Sequence, residues 1–454
     1  MPPSSGGRGL GRVGILFAYS LLLVLPILSQ PRAGGESADL KLKQDAAQKA
    51  FEAGQFVEAE MMGRAALDLA RQTCPSDSQE VANCVNNLAA IAWSLGKSEE
   101  SEGLYREALR IWDKYPNHQA DRAHVESNLS AVLQSEARYS EAEKFALEAL
   151  EIDERILGPY HLETAASLTK LGAVYTAEGR YSEAETVLLR AVLIREKALG
   201  SGHPLTAVTL ATLSQTYWHM AKNERAIDLL KRAIHITEQT LPPHHPRMAV
   251  MLNNLATLYN ERHKYKDAEK LLQRAVTIWE KALGAGHPDV AAAYSNLATA
   301  SFARHNYKLS ERYERRALEI DRARLGPDHP SVGIELGNLG ASLLAQHNFI
   351  EAETLFNQQL AIAEKAHGPT HPEVADALEN LGMLWSMESH YPEAQAAYKR
   401  AIEIDEASLG PKSPRLIRDL SAYAKLMRKM REFAEAEKAD TRALGIQVQD
   451  SLHP

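Results

Sequence analysis

The chain has 454 residues, 45% hydrophobic and 24% charged, with a formal charge of -8 at neutral pH. That balance is ordinary for a soluble protein, and its acidic excess argues against a general nucleic-acid or anionic-membrane surface. Two cysteines, Cys74 and Cys84, and the absence of any cysteine or histidine spacing that matches a zinc site exclude a small metal-stapled domain.

Residues 1–12 are Gly-rich and carry Arg8 and Arg12 without an acid. Val13 to Leu28 is almost wholly apolar, and Ser29 to Gly35 is polar and small. This is the order of a secretory signal. Ala33 and Gly35 fit a small-x-small cleavage site, which makes residues 1–35 a signal peptide and Glu36 the new N-terminus. Cleavage removes three arginines and no acid, so the remainder carries -11. Sixteen apolar residues interrupted by Pro26 are short for a spanning helix, which needs about 20. The alternative is that residues 13–28 are kept as an anchor, the one route to membrane association in this sequence. No cysteine follows the apolar run, which argues against lipoprotein processing. Both readings place the rest of the chain outside the cytosol, exported to a periplasmic or extracellular space or held at a membrane. Such a compartment permits a Cys74–Cys84 disulfide; the alternative is two small apolar side chains in a packing layer.

From Ser37 onward the pattern is helix, tight turn, helix, loop. One loop recurs: Leu157-Gly158-Pro159-Tyr160-His161-Leu162, Leu199-Gly200-Ser201-Gly202-His203-Pro204, and Leu241-Pro242-Pro243-His244-His245-Pro246. Leu283 to Pro288, Leu325 to Pro330, His367 to Pro372 and Leu409 to Pro414 continue it, each 42 residues from the last. A fixed period of this size marks a repeat array. Gly stops one helix and Pro starts the next. Small residues open the second helix of each unit at Ala59, Ser101, Ala142, Ala184, Ala226, Ala268, Ser310, Ala352, Ala394 and Ala436, which counts ten units. A second small column, Ala66 to Ala443, is broken once, by Gln359. The first helices carry Leu88, Leu129, Leu171, Leu213, Leu255, Leu297, Leu339, Leu381 and Tyr423 at matching positions. Small residues let helices approach and large ones interdigitate between units. The expectation is an all-α solenoid of about ten helix pairs. One domain runs over 36–454, with units near 37–73, 78–113, 119–157, 161–199, 203–241, 245–283, 287–325, 329–367, 371–409 and 413–448. The first unit is more polar and the last more basic than the rest, as capping units are.

The Leu255, Ala256, Tyr259, Ala268, Leu272 and Ala275 spacing resembles the tetratricopeptide repeat. The 42-residue unit, with its Leu-Gly-x-x-His-Pro loop and Leu252-Asn253-Asn254-Leu255-Ala256, is similar to the kinesin light chain type. The resemblance implies a right-handed superhelix whose first helices line a concave groove. Nothing in the chain resembles the heptad coiled coil of a motor subunit.

The column before the Leu of the first helix reads Asn87, Asn128, Lys170, Thr212, Asn254, Asn296, Asn338, Asn380, Ala422. Asn is a poor helix-interior residue, so its recurrence needs a cause. Its amide can pair with the backbone of an extended peptide. In related repeats this Asn contacts peptide, which the resemblance carries over to Asn87, Asn128, Asn254, Asn296, Asn338 and Asn380. The alternative is an Asn bonded to a neighbouring helix. Trp218 and Phe302 fall on the same side as candidate contacts for an apolar anchor of a ligand; the alternative is partial burial in the core. Arg418, Lys425 and Arg428 form a basic stripe on the last first-helix, suited to an acidic segment of a partner; the alternative is a cap that pairs with Asp376 or Glu379. The histidines at His161, His203, His245, His287, His329 and His371, and those at His263, His305 and His347, are read as helix-start and turn packing. Copies one unit apart, roughly 10 Å, cannot share a metal. No phosphate loop, nucleophile elbow or metalloprotease motif is present. The functional expectation is a non-catalytic scaffold, without cofactor or metal, that binds a protein or extended peptide in a groove. The alternatives are a membrane-tethered assembly factor and a non-catalytic subunit of an enzyme complex. Oligomeric state is not written in the sequence.

Overall fold

Apolar residues recurring every three or four positions make amphipathic helices. In the computed structural model the backbone is described for residues 38–452 and side chains for residues 38–448; the apolar segment 13–28 and the cleavage site at Gly35 lie outside the described residues. The described residues form twenty helices and no strand. They follow one another as pairs: α1 (Ala38–Glu52) with α2 (Phe56–Thr73), α3 (Gln79–Ser94) with α4 (Ser98–Trp112), and α5 (Gln119–Ser135) with α6 (Tyr139–Ile156). Next come α7 (Leu162–Ala177) with α8 (Tyr181–Leu199), α9 (Pro204–His219) with α10 (Asn223–Thr240), and α11 (Pro246–Glu261) with α12 (Tyr265–Leu283). The remainder are α13 (Pro288–Ala303) with α14 (Tyr307–Leu325), α15 (Pro330–Ala345) with α16 (Phe349–His367), α17 (Pro372–Met387) with α18 (Tyr391–Leu409), and α19 (Leu416–Lys429) with α20 (Phe433–Leu452). The fold is an all-α solenoid of helix pairs. It comprises two compact units that divide within α13, after Ala293. Among the described residues no helix is long and apolar enough to cross a membrane.

The repeated loop works through two backbone devices. Gly200, Gly284, Gly326, Gly368 and Gly410 end their helices at φ of 85° to 88°. The following histidine caps the next helix. The Nδ1 atoms of His161, His203, His245, His329 and His371 each accept from the backbone N–H two residues on, at 3.2–3.3 Å. The histidine column is therefore an N-cap, which satisfies one of the free N–H groups at each helix start. The turn column is also packing: His263 and His305 place Nδ1 against the hydroxyls of Tyr265 and Tyr307 at 2.6 and 2.8 Å.

The small column of the second helices is buried from end to end, from Ala59 to Ala436. Where serine replaces alanine, its hydroxyl is satisfied: Ser101 Oγ donates to Ala89 O at 2.8 Å and Ser310 Oγ to Ala298 O at 2.9 Å. Gln359, the exception in the second column, is accommodated by Gly337, where a Cβ would stand 2.6 Å from Gln359 Oε1.

In the unit ending at Ala293 the chain comes back upon itself. The α1–α2 turn at Gly54 meets the start of α11: a Cβ on Gly54 would lie 2.3 Å from Pro246 Cδ. His245 Nε2 lies 3.2 Å from Glu52 O. One repeat on, the α3–α4 turn at Gly96 meets Pro288 and His287, with a Cβ 3.3 Å from Pro288 Cγ. Every residue of α3 from Val81 to Ser94 is buried. The outer helices are linked by Arg–Glu pairs between neighbouring repeats, such as Arg71–Glu107, Arg190–Glu154, Arg232–Glu196 and Arg274–Glu238. Exposed pairs of this kind contribute little each, about 0–1 kcal/mol. Cys74 and Cys84 are not bonded to each other. Cys84 is buried in α3 and its Sγ accepts from Gln44 Nε2 at 3.1 Å, while Cys74 caps the end of α2. The disulfide expected as one alternative is not formed in this structure.

In the unit beginning at Tyr294 the core comprises clusters around Phe356, around Ile404 and around Tyr423. Its last repeat is closed by a half-buried ionic knot: Arg418 Nη2 pairs with Asp376 at 2.9 Å and Glu379 at 2.5 Å, and Arg415 pairs with Asp376 and Asp405.

Candidate functional site

The Asn column follows the middle of the first helices, where an interior Asn must find partners or remain unsatisfied. In the unit ending at Ala293, Asn87, Asn128, Lys170, Thr212 and Asn254 are all buried, at 9% exposure or less. Successive positions meet: Lys170 Nζ donates to Asn128 Oδ1 across 42 residues at 2.5 Å. Asn87 Oδ1 accepts from Asn86 Nδ2 at 3.2 Å, and Thr212 Oγ1 donates to its own helix at Val208 O. Asn254 is fully buried, yet neither its Oδ1 nor its Nδ2 has a hydrogen-bond partner among the described residues. Asn128 Nδ2 is likewise unpartnered.

Burial also raises the energy of three cations in this unit. Burial pushes the Lys170 ammonium down to about 8, against the attraction of Glu163 and Asp153. It pushes Arg195, at the end of α8, and Arg247, at the start of α11, each down to about 10. Arg195 Nη1 donates to Leu205 O at 2.7 Å and Thr209 Oγ1 at 2.5 Å, and its Nε has no partner. None of the three forms an ion pair among the described residues. Unpartnered amides and buried donors can bind backbone carbonyls or carboxylates, and they hold no arrangement of nucleophile and base.

Trp218, at the end of α9, is half-buried. Its Nε1 donates to Glu261 Oε1 at 2.8 Å, and its ring lies 4.6 Å from His219, on which Tyr181 stacks. In the unit beginning at Tyr294, Asn296 is fully buried, Asn338 is half-buried, and Asn380 is buried with Nδ2 donating to Gln359 Oε1 at 3.1 Å. Phe302 is half-buried against Tyr307, ring centroids 5.0 Å apart.

In the basic stripe on α19, two of the three cations are ion-paired, and for Arg418 the partners are those of the cap alternative. Arg418 is neutralised by Asp376 and Glu379, and Arg428 pairs with Asp440. Lys425 and Arg428 are both exposed, and of the three only Lys425 has no ion pair among the described residues. The reason is the acidity of the preceding repeat, whose Asp376, Glu379 and Asp405 pair with the guanidinium groups of Arg415 and Arg418. Reading columns did not single out Lys170, Arg195 or Arg247. The available signal was a Lys within a column of Asn and an Arg at the position held elsewhere by Asp153, Thr237 and Trp279.

A model of the tetratricopeptide repeat matches residues 46–114, 121–192, 167–239, 247–323 and 333–407. The chain belongs to the tetratricopeptide repeat family. The chain is similar to a crystal structure of nearly identical repeats from a kinesin light chain-like protein of Podosopora anserina. The two share 27% identity over 46% of this chain and 98% of that one, with a TM-score of 0.41. It is also similar to the apo quorum sensor NprR of B. thuringiensis, at 12% identity over 80% and 97% of the two chains, TM-score 0.58. A Rap protein complexed with competence and sporulation factor is similar at 14% identity over 82% and 99%, TM-score 0.53. At these identities the last two show the fold alone. No curated protein matches the chain.

Proposed function

We propose that this chain is a non-catalytic scaffold that is exported and holds an extended peptide segment of a partner protein along the Asn column of its first helices. One observation carries the reading: Asn254 buries a carboxamide with both polar atoms unpartnered. Leaving such a group unsatisfied costs about 1–3 kcal/mol, a cost that a peptide backbone, offering one acceptor and one donor per residue, removes. Lys170 and Arg195 supply further donors for carbonyl oxygens or an acidic side chain of that segment. The Rap neighbour, which is complexed with competence and sporulation factor, supports a bound ligand for this architecture. Because the column is buried, the ligand enters when the α1–α2 turn lifts from the start of α11.

The test is a pull-down with mass spectrometry from the extracytoplasmic fraction, comparing native chain, Asn128→Ala/Asn254→Ala, and Arg274→Ala on the outer helices. The partner is expected with the native chain and with Arg274→Ala and lost in the double variant. Retention by the double variant refutes the column as the site. Sequencing of the secreted protein should begin at Glu36; a cytosolic chain beginning at Met1 refutes export.

A further inference from the structure

The loop between α16 and α17 departs from every other copy. Where the others carry Leu157, Leu199, Leu241, Leu283, Leu325 and Leu409, this one carries His367. The exchange places a second imidazole beside the capping histidine: the rings of His367 and His371 stack with centroids 4.3 Å apart. Glu373, at the start of α17, completes the group, with its Oε2 3.3 Å from His367 Nε2. One ligand atom from each of the three lies within 4.8 Å of the others. Histidines one repeat apart cannot share an ion, but this cluster straddles a single loop, from the last residue of α16 to the first turn of α17.

We propose that His367, His371 and Glu373 bind a divalent transition metal, with Zn2+ the best match. Two imidazoles and a carboxylate are the donors zinc takes at about 2.0–2.2 Å, and three protein ligands leave one position open to water or to a group on a second molecule. The side chains are part-exposed, so the atoms close around an ion by rotation about χ angles without backbone movement. One cost is built in. His371 Nδ1 accepts the Glu373 N–H at 3.3 Å, so in the apo chain the imidazole proton resides on Nε2. Ligation through Nε2 moves that proton to Nδ1, facing the N–H; ligation through Nδ1 displaces the N–H outright. Either way the metal gives up one N-cap bond, which makes this a weaker site than one built from uncommitted histidines.

The repeat at Leu157, His161 and Glu163 has two of the three groups and serves as an internal control. The experiment is titration of untagged, chelator-stripped full chain with Co2+, followed by its visible d–d absorption, then displacement by Zn2+. The proposal expects one equivalent bound with a tetrahedral-type band that Zn2+ bleaches. Affinity should fall roughly tenfold or more in His367→Leu and in Glu373→Gln and stay unchanged in His161→Ala. His367→Leu restores the residue of the other loops, so its far-ultraviolet dichroism and melting curve should match the native apo chain. Absence of the band in the native chain, or an equal titration by native and His367→Leu proteins, overturns the assignment.

Discussion

Substituting Gly54 probes the contact between the α1–α2 turn and the start of α11. The turn between the first and second helix of each pair is occupied successively by Gly54, Gly96, Ala137, Gly179, Ala221, His263, His305, His347, Ser389 and Arg431, all at positive φ. Alanine already sits there at φ 59° and 57°, so left-handed backbone alone does not demand glycine. Crowding does, at two positions. A Cβ would be 2.3 Å from Pro246 Cδ at Gly54, 3.3 Å from Pro288 Cγ at Gly96, and 3.9 Å from its nearest neighbour, Tyr181, at Gly179. Gly179→Ala therefore costs only the conformational term, roughly 1 kcal/mol. Gly54→Ala adds overpacking against a proline ring that cannot yield, about 1–3 kcal/mol more, and breaks the His245–Glu52 hydrogen bond. Gly96→Ala should fall between them. Amide exchange of α1, α2 and the 241–247 loop reads the local opening, and urea melts read the global loss. Equal losses of protection in Gly54→Ala and Gly179→Ala would refute the reasoning. If the contact also gates the column, Gly54→Ala captures partner faster than the native chain.

Three further outcomes are expected. Asn254→Leu, of similar size, should hold or raise stability by about 1 kcal/mol in a thermal melt, because it removes an unpaired buried amide, while partner capture is lost. The Lys170 ammonium titrates near 8 in the folded chain against an ordinary 10.5, a difference of ~3 kcal/mol against the charged form. The unfolded chain binds more protons between these values, so stability rises with pH from about 8 to 10.5, and Lys170→Met should flatten that rise in paired urea melts. Burial pushes the Glu314 carboxyl up to about 8. Here the folded chain holds the extra proton between 4.5 and 8, so stability falls as pH rises through that window. Glu314→Gln should melt higher than the native chain at pH 8 and lose part of the slope; an unchanged slope counts against a neutral Glu314. Ser310 Oγ donates to Glu314 Oε1 at 3.2 Å, which favours the carboxylate and is outweighed by burial.

The period and the helix pairs were legible in the sequence because each repeat restates the same local physics: Gly to stop, Pro to start, small residues where helices touch. Ser101 and Ser310 kept their places in the small column because a hydroxyl can donate to the carbonyl of its partner helix, a contact as local as the alanine it replaces. The histidines were legible as packing, but their N-cap role needed the position of Nδ1 over the next helix's N–H. What tertiary structure alone decided is which polar groups remain uncommitted. Arg418 reads as an exposed cation along its own helix and becomes the centre of an ionic knot once Asp376 and Glu379 of the previous repeat close on it. Asn254 reads as one of a row of equals, yet burial leaves it without a partner while Asn380 finds Gln359. Gly54 and Gly179 hold equivalent positions in their repeats, and it is Pro246, far along the chain, that comes to rest beside the first and not the second. Periodicity encodes contacts between neighbouring repeats, because those are the same at every step. It carries no information about contacts several repeats apart, which depend on how the small rotation per repeat accumulates.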